Sequence, residues 1–201
     1  MIKRKDLQII SEIIPSKSRV LDLGCGNGQL LQELAKEKNV KGLGIEISLE
    51  RVKSCLKQGI SVVQEDLNDG LKDFHDKSFN YIILSQTLEH ISNPAFLIQE
   101  MLRVGEKCII SFDNLAYWKN RVIFLFRGLL KESNIDDNAF NNYNKKQILT
   151  VKKFLKFCES YKFKICKNIF LPKKFVSFNK IFPNLLSKTA IFFLKEKKDD
   201  Y

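Results

Sequence analysis

The sequence is short of the residues that build metal centres and disulfide frameworks. It holds two histidines, His75 and His90, and five cysteines (Cys25, Cys55, Cys108, Cys158, Cys166) with no Cys-x-x-Cys pair. Five is an odd number and the spacing is wide, so neither a zinc site nor a cystine scaffold is expected, and the thiols read as free. Four prolines and nine glycines exclude collagen-like and low-complexity chains. Long hydrophobic runs are missing as well. The longest span five residues, Val122–Phe126 and Ala190–Leu194, where a membrane-spanning helix needs roughly 20. No apolar stretch of signal-peptide length separates Lys3-Arg4-Lys5 from Pro15. A soluble cytoplasmic protein is the expectation.

What is present suits one globular domain. The 201 residues are 44% hydrophobic, enough for a sizeable core. The net charge of +11 is uneven: residues 1–113 carry 15 basic against 16 acidic side chains, and residues 114–201 carry 19 against 7. The basic third reads either as a surface for an acidic partner or as a compositional bias toward Lys. Only six of the 34 basic residues are arginine, and only Arg121 and Arg127 lie in the basic part. Bidentate reading of nucleic acid leans on arginine, so a nucleic-acid partner is disfavoured.

The first two-thirds alternates short apolar runs with amphipathic stretches. Strands are expected at Arg19–Leu23, Lys41–Ile47, Ile60–Gln64, Phe79–Ser85 and Lys107–Phe112. Between them, Gly28–Lys38 sets Leu30, Leu31, Leu34 and Ala35 on one helical face, Ser48 is a plausible cap for a helix through Lys57, and Pro94 opens a helix to about Val104. This rhythm predicts a parallel sheet covered by helices on both faces. After Asp113 the rhythm changes. A helix over Tyr117–Leu130 shows a broad apolar face with Trp118, Val122, Leu125 and Leu129; it reads as a lid over the substrate or a partner-docking helix, with part of the face expected to pack on the sheet. The polar stretch 131–147 reads as a loop. Thr150 then caps a helix with Val151, Phe154, Leu155 and Cys158 on one face, and Phe163–Leu171 and Thr189–Leu194 make two final strands. Seven strands result.

The chemistry concentrates in Val20-Leu-Asp-Leu-Gly-Cys-Gly-Asn-Gly28. A strand that stops at Gly24-x-Gly26-x-Gly28 turns sharply into a helix, and glycines there let the backbone approach a ligand. A dinucleotide fingerprint would place its last glycine at position 29, where Gln29 stands, and Asp22 is a further departure from it. Glu46 ends the second strand, where an acid can accept from both hydroxyls of a ribose. Asp66 follows the third strand, where a carboxylate can accept from an adenine amino group. Ser85 and Gln86 close the fourth. All fall at the carboxyl edge of one sheet, where open α/β sheets bind ligands.

This constellation resembles the class I S-adenosylmethionine (SAM) dependent methyltransferases over residues 19–113. The resemblance implies a Rossmann-like α/β domain, 1–201, with a seven-stranded mostly parallel sheet whose last strand is antiparallel. Residues 1–113 would be the cofactor-binding core, and 114–201 would add lid or partner helices and the final strands. It also implies SAM, or its product S-adenosylhomocysteine, as cofactor. Asp22 would assist the methionine amino group. Gly24, Cys25, Gly26, Asn27 and Gly28 would wrap the methionine and ribose. Glu46 with Ile47 would hold the ribose, Asp66 and Leu67 would frame the adenine, and Ser85 and Gln86 would close the site. His90, with Glu89, sits near where a methyl group would point, and a histidine with a pKa near 6.5 could serve as a general base.

Further stretches are similar to the MetW family of methionine-biosynthesis proteins: Asp6-Leu-Gln-Ile-Ile10, Gly44-Ile-Glu-Ile47, Ile82-Ile-Leu-Ser-Gln-Thr-Leu88, Glu100-Met-Leu-Arg-Val-Gly105, Ser111-Phe-Asp-Asn114 with Trp118, and Phe182-Pro-Asn-Leu-Leu186 leading into Thr189-Ala-Ile-Phe192. That likeness implies a partner of homoserine O-acyltransferase. The chain departs from the family pattern at Asp113, at Tyr117, at Leu88-Glu-His90 and at Gln147, which stands where the family shows histidine. The other expectation is a small-molecule methyltransferase. Ser85-Gln-Thr-Leu88 replaces the Asn/Asp-Pro-Pro-aromatic run of nucleic-acid amino methylases.

Overall fold

The computed structural model describes residues 2–128, 147–172 and 181–196. Seven strands form one sheet: β1 (Arg19–Leu23), β2 (Lys41–Glu46), β3 (Val62–Gln64), β4 (Phe79–Ser85), β5 (Gly105–Asp113), β6 (Lys164–Leu171) and β7 (Thr189–Lys195). Their order across the sheet is β3-β2-β1-β4-β5-β7-β6. The pairs among β1 to β5 are parallel, whereas β7 runs antiparallel between β5 and β6. The expected Rossmann-like sheet with an antiparallel last strand is therefore present. The strand order reverses between β1 and β4, and at such a switch point open α/β sheets bind ligands at their carboxyl edge.

Alternate strand residues point to opposite faces, and both faces are buried. Val20, Tyr81, Ile83, Ile109 and Ile191 face one core, closed by α1 (Lys5–Ile13), α2 (Gln29–Lys38) and α3 (Leu49–Lys57) through Ile10, Leu30, Leu34 and Cys55. Leu21, Leu23, Ile82, Leu84, Ile110 and Phe112 face the other. There α4 (Pro94–Val104) contributes Leu97, Ile98 and Met101, and α6 (Val151–Ser160) contributes Val151, Phe154 and Cys158. Phe154 sits 5.1 Å from Phe112 and 4.7 Å from Phe192, ring to ring, so α6 seals β7 against β5. Thr150 caps α6 through the amide of Lys153.

Several expectations change. Strand β2 ends at Glu46, leaving Ile47 outside it and exposed; β3 begins only at Val62, and β5 is longer at both ends. Ser48 makes no side-chain cap; its amide is held by Glu46 instead. Ala35 and Leu155 lie off the buried faces of their helices. The largest change concerns α5, which spans Trp118–Arg127 and buries none of its residues. Its stripe has the period of a packed helix, yet no side chain of that stripe is buried. Leu129, Leu130 and most of the expected 131–147 loop lie outside the described residues.

Candidate functional site at the carboxyl edge of the sheet

The turn after β1 is built by backbone bonds onto β2. The amides of Gly24 and Cys25 both donate to Ile45 O, at 2.8 and 3.0 Å, and Gly28 N donates to Cys25 O at 3.0 Å. Gly24 has φ +71°, and a Cβ there would collide with the Thr87 side chain, so only glycine fits. Gly26 also has positive φ, but a Cβ on it would meet no atom within 4 Å, so its outer side is clear. Gly28 caps α2, Asn27 is exposed beside it, and Cys25 is half-buried. Burial raises the Cys25 thiol well above its ordinary range, helped by Asp22 and the Cys55 thiol nearby, so it stays neutral.

Glu46 is buried and binds two amides. Its Oε2 accepts from Gly26 at 2.9 Å and its Oε1 from Ser48 at 3.0 Å. A carboxylate has about four lone-pair sites, so each oxygen retains capacity for another donor. Asp66 accepts from the amide and side chain of Asn68 through Oδ1 alone and starts the 3-10 turn Leu67–Asp69, with Leu67 buried. Asn68 then receives the Ser92 amide, tying this turn to the segment after β4.

Asp22 is 4% exposed and accepts no hydrogen bond among the described residues. Burial pushes its pKa up to about 7; the Arg4 charge pulls it down in part, and Glu46 adds to the rise. An unpartnered buried carboxylate beside a glycine turn is poised for a cationic group.

The end of β4 carries strain. Gln86 has φ +52°, unusual outside glycine, and is fixed by its amide on Ser111 O (2.7 Å) and its side chain on Asp113 (3.3 Å). The Ser85 hydroxyl is committed to a buried cluster with Asp6, Arg4 and Ser111. Glu89 is half-buried and His90 exposed, both in the 3-10 turn Leu88–His90. Gln147 bridges that turn: its amide donates to Glu89 O at 2.7 Å and its side chain to Ile91 O at 2.9 Å. Thus Asp22, Glu46 and the glycine turn converge, and Asp66 and Gln86 stand on the neighbouring strand ends. The sequence pattern assigns no site role to Arg4, Asp6, Thr87 or Ser111, although the last three lie in stretches that carry the family likeness. An Arg-x-Asp pair at the start of a helix, Arg4 at the N-cap and Asp6 in the first turn, is the local signal for the first two.

This sheet, with its glycine turn and strand-end acids, is that of the SAM-dependent methyltransferase fold. A SAM dependent methyltransferase from Archaeoglobus fulgidus superposes with a TM-score of 0.68 at 18% identity, covering 95% of this chain and 91% of that one. Phosphoethanolamine N-methyltransferase 2 of Haemonchus contortus, solved with S-adenosyl-L-methionine, gives 0.65 at 13% identity, covering 96% and 52%. Within that fold the chain belongs to the family of methionine biosynthesis protein MetW, whose family model matches residues 4–194. The bifunctional methionine biosynthesis protein MetXA/MetW of Rhodopirellula baltica is 43% identical over 131 residues, 61% of this chain and 21% of that protein. Norajmaline N-methyltransferase of Rauvolfia serpentina is 33% identical over 101 residues, 45% of this chain and 34% of its own length. The chain spans between a fifth and about a third of these two curated relatives. Among the described residues no helix is long and apolar enough to cross a membrane.

Proposed function

We propose that this chain binds SAM or S-adenosylhomocysteine at the carboxyl edge and acts in the cytoplasm as a partner that supports homoserine O-acyltransferase in methionine synthesis. The observation that carries the SAM reading is Asp22: a buried carboxylate without a hydrogen-bond partner, set between the glycine turn and Glu46. In this reading Asp22 takes the methionine ammonium, and Gly24 to Gly28, with Cys25 and Asn27, wrap the methionine and ribose. Glu46 takes the ribose hydroxyls on its spare lone pairs with Ile47 alongside. Asp66 and Leu67 frame the adenine, and Gln86 and Ser85 close the edge. When bound, SAM would supply an activated methyl group or a regulatory signal.

The partner reading is supported by the relative in which MetXA and MetW are joined in one chain. Helix α5 supplies a surface for it, with Val122, Leu125 and Phe126 exposed beside Arg121 and Arg127. SAM lies downstream of methionine, so its occupancy would report pathway output to the acyltransferase. The test is the rate of the same organism's homoserine O-acyltransferase with and without this protein, at several SAM concentrations. The expected result is a higher rate that SAM shifts through a coupling free energy between the two sites. An unchanged rate under every condition would refute the partner role.

A second reading, methyl transfer to a small molecule, is favoured by the likeness to a plant N-methyltransferase and by the exposed His90 on the turn after β4. His90 or Glu89 would then be the general base. Exchanging His90→Ala should abolish transfer of labelled methyl while sparing SAM binding; unaltered transfer would remove His90 from that role.

A further inference from the structure

Arg4 and Asp6 stand at the start of α1, far from the glycine turn in sequence. Their pairing is nonetheless built into the ends of β4 and β5. Arg4 Nε and Nη2 donate to Asp6 Oδ1 and Oδ2 at 3.2 and 2.6 Å, and Nη2 also donates to Ser85 Oγ at 2.6 Å. Asp6 Oδ2 accepts from the hydroxyls of Ser85 (3.0 Å) and Ser111 (2.9 Å), which lie 2.8 Å from one another. Asp6 is 3% exposed, whereas the Arg4 side chain is 40% exposed.

Burying a carboxylate in this way carries a desolvation cost, and a buried ion pair is not in itself a source of stability. What the cluster does fix is the orientation of one guanidinium. Burial pushes the Asp6 pKa up, but the Arg4 bonds and charge, with the Ser111 and Ser85 hydroxyls, hold it below the usual carboxylate range. Asp6 therefore stays ionised and keeps its hold on Arg4. Three of the five arginine N–H donors are engaged by these bonds, and the two on Nη1 meet no acceptor among the described residues. The charge of Arg4 is also felt at Asp22, which stands opposite Ile83, two residues before Ser85 on β4. An oriented cation and an unpartnered anion thus lie together at the sheet edge, the complement of an α-amino-acid zwitterion.

We propose that Arg4 is a ligand-binding residue whose free Nη1 donors receive the α-carboxylate of the bound molecule, while Asp22 receives its ammonium. This deepens the SAM reading and rests on it. Asp6, Ser85 and Ser111 are positioning residues, acting through Arg4. Arginine suits the task because its planar fork keeps the remaining donors aligned once the other edge is clamped.

The test compares SAM with decarboxylated SAM, which lacks only the carboxylate, by titration calorimetry on the wild type, Arg4→Gln and Arg4→Lys. The wild type should prefer SAM by about 10- to 100-fold, the range of a charge-assisted contact. Arg4→Gln should lose that preference while binding decarboxylated SAM as tightly as the wild type or more so, because a cation facing a cationic ligand is gone. That retained binding also shows that the variant is folded. Arg4→Lys, which keeps the charge but loses the fork, should fall between. A preference surviving in Arg4→Gln, equal weakening of both ligands, or no preference in the wild type would overturn the assignment. A wild type that binds neither ligand would instead overturn the SAM reading beneath it.

Discussion

Glu46 Oε2 accepts the amide of Gly26 at 2.9 Å across 20 residues of sequence, so this carboxylate shapes the glycine turn with one oxygen and still has lone pairs to spare. Its other oxygen holds Ser48 N, and Arg51 approaches Oε2 only at 3.9 Å. Glu46→Gln must present an amide N–H₂ to one of two backbone donors. SAM affinity should fall by about 1–3 kcal/mol and the melting temperature should drop with it. Calorimetry with thermal unfolding checks both. Unchanged affinity would mean that this acid shapes the turn alone and does not hold a ribose.

Asp22 makes the stability of the fold sensitive to pH. Its folded pKa of about 7 lies above the unfolded value of 3.8, so the native state binds the extra proton. The stability this confers is complete below about pH 4 and is lost as the pH rises to about 7, an effect of at most about 4 kcal/mol. Asp22→Asn should therefore be more stable than the wild type at pH 8, by urea unfolding without ligand, and should bind SAM more weakly. In the wild type, SAM affinity should decline below pH 7, because the ammonium must displace the proton. An affinity that is flat between pH 5.5 and 8 would argue against an Asp22–ammonium contact.

Gly24 answers to two constraints at once, its φ of +71° and the Thr87 side chain against it. Gly24→Ala should destabilise by about 1–3 kcal/mol, the cost of a strained backbone residue, and more if Thr87 cannot move. Adding Thr87→Ala removes the colliding atoms but not the strain, so it should restore part of the loss. Full restoration would show that the collision alone excludes a side chain.

The site was legible where its chemistry is local. Gly24 to Gly28 follow a short apolar strand, and Glu46 and Asp66 end the next two, so hydropathy and turn residues suffice to place them. Strand β4 and helix α4 carry their own boundaries in an apolar run and in Pro94. The Asp6 cluster was hidden because it joins residues 79 and 105 positions apart, with no periodicity to announce it. Gln147 departs from the family pattern in sequence, and its bond to a turn 58 positions away has no local signal: its amide and side chain hold the segment that carries Glu89 and His90. The expected packing of part of α5 on the sheet fails for a physical reason. A stripe at helical spacing reports that one face seeks an apolar surface, and it does not say that the surface belongs to the same chain.

That unsatisfied face supplies a test of the partner reading. Leu125 and Phe126 are 77% and 80% exposed, and Val122, three and four residues before them on the same face, is exposed as well. Lone surface apolar residues are ordinary, whereas neighbouring ones on one helix face are what a docking surface would need. The double exchange Leu125→Glu and Phe126→Glu removes no buried contact, so stability should stay within about 0.5 kcal/mol of the wild type. If α5 docks the acyltransferase, the same change places two carboxylates in the centre of the interface and should weaken association by about 2 kcal/mol or more, roughly 30-fold. Stimulation of the acyltransferase should disappear at protein concentrations that saturate the wild type. Arg121→Glu on the same helix should act more weakly and chiefly at low salt, because a rim charge steers the encounter and is screened. Full stimulation by the double variant, with SAM binding intact, would place the docking surface elsewhere on the molecule.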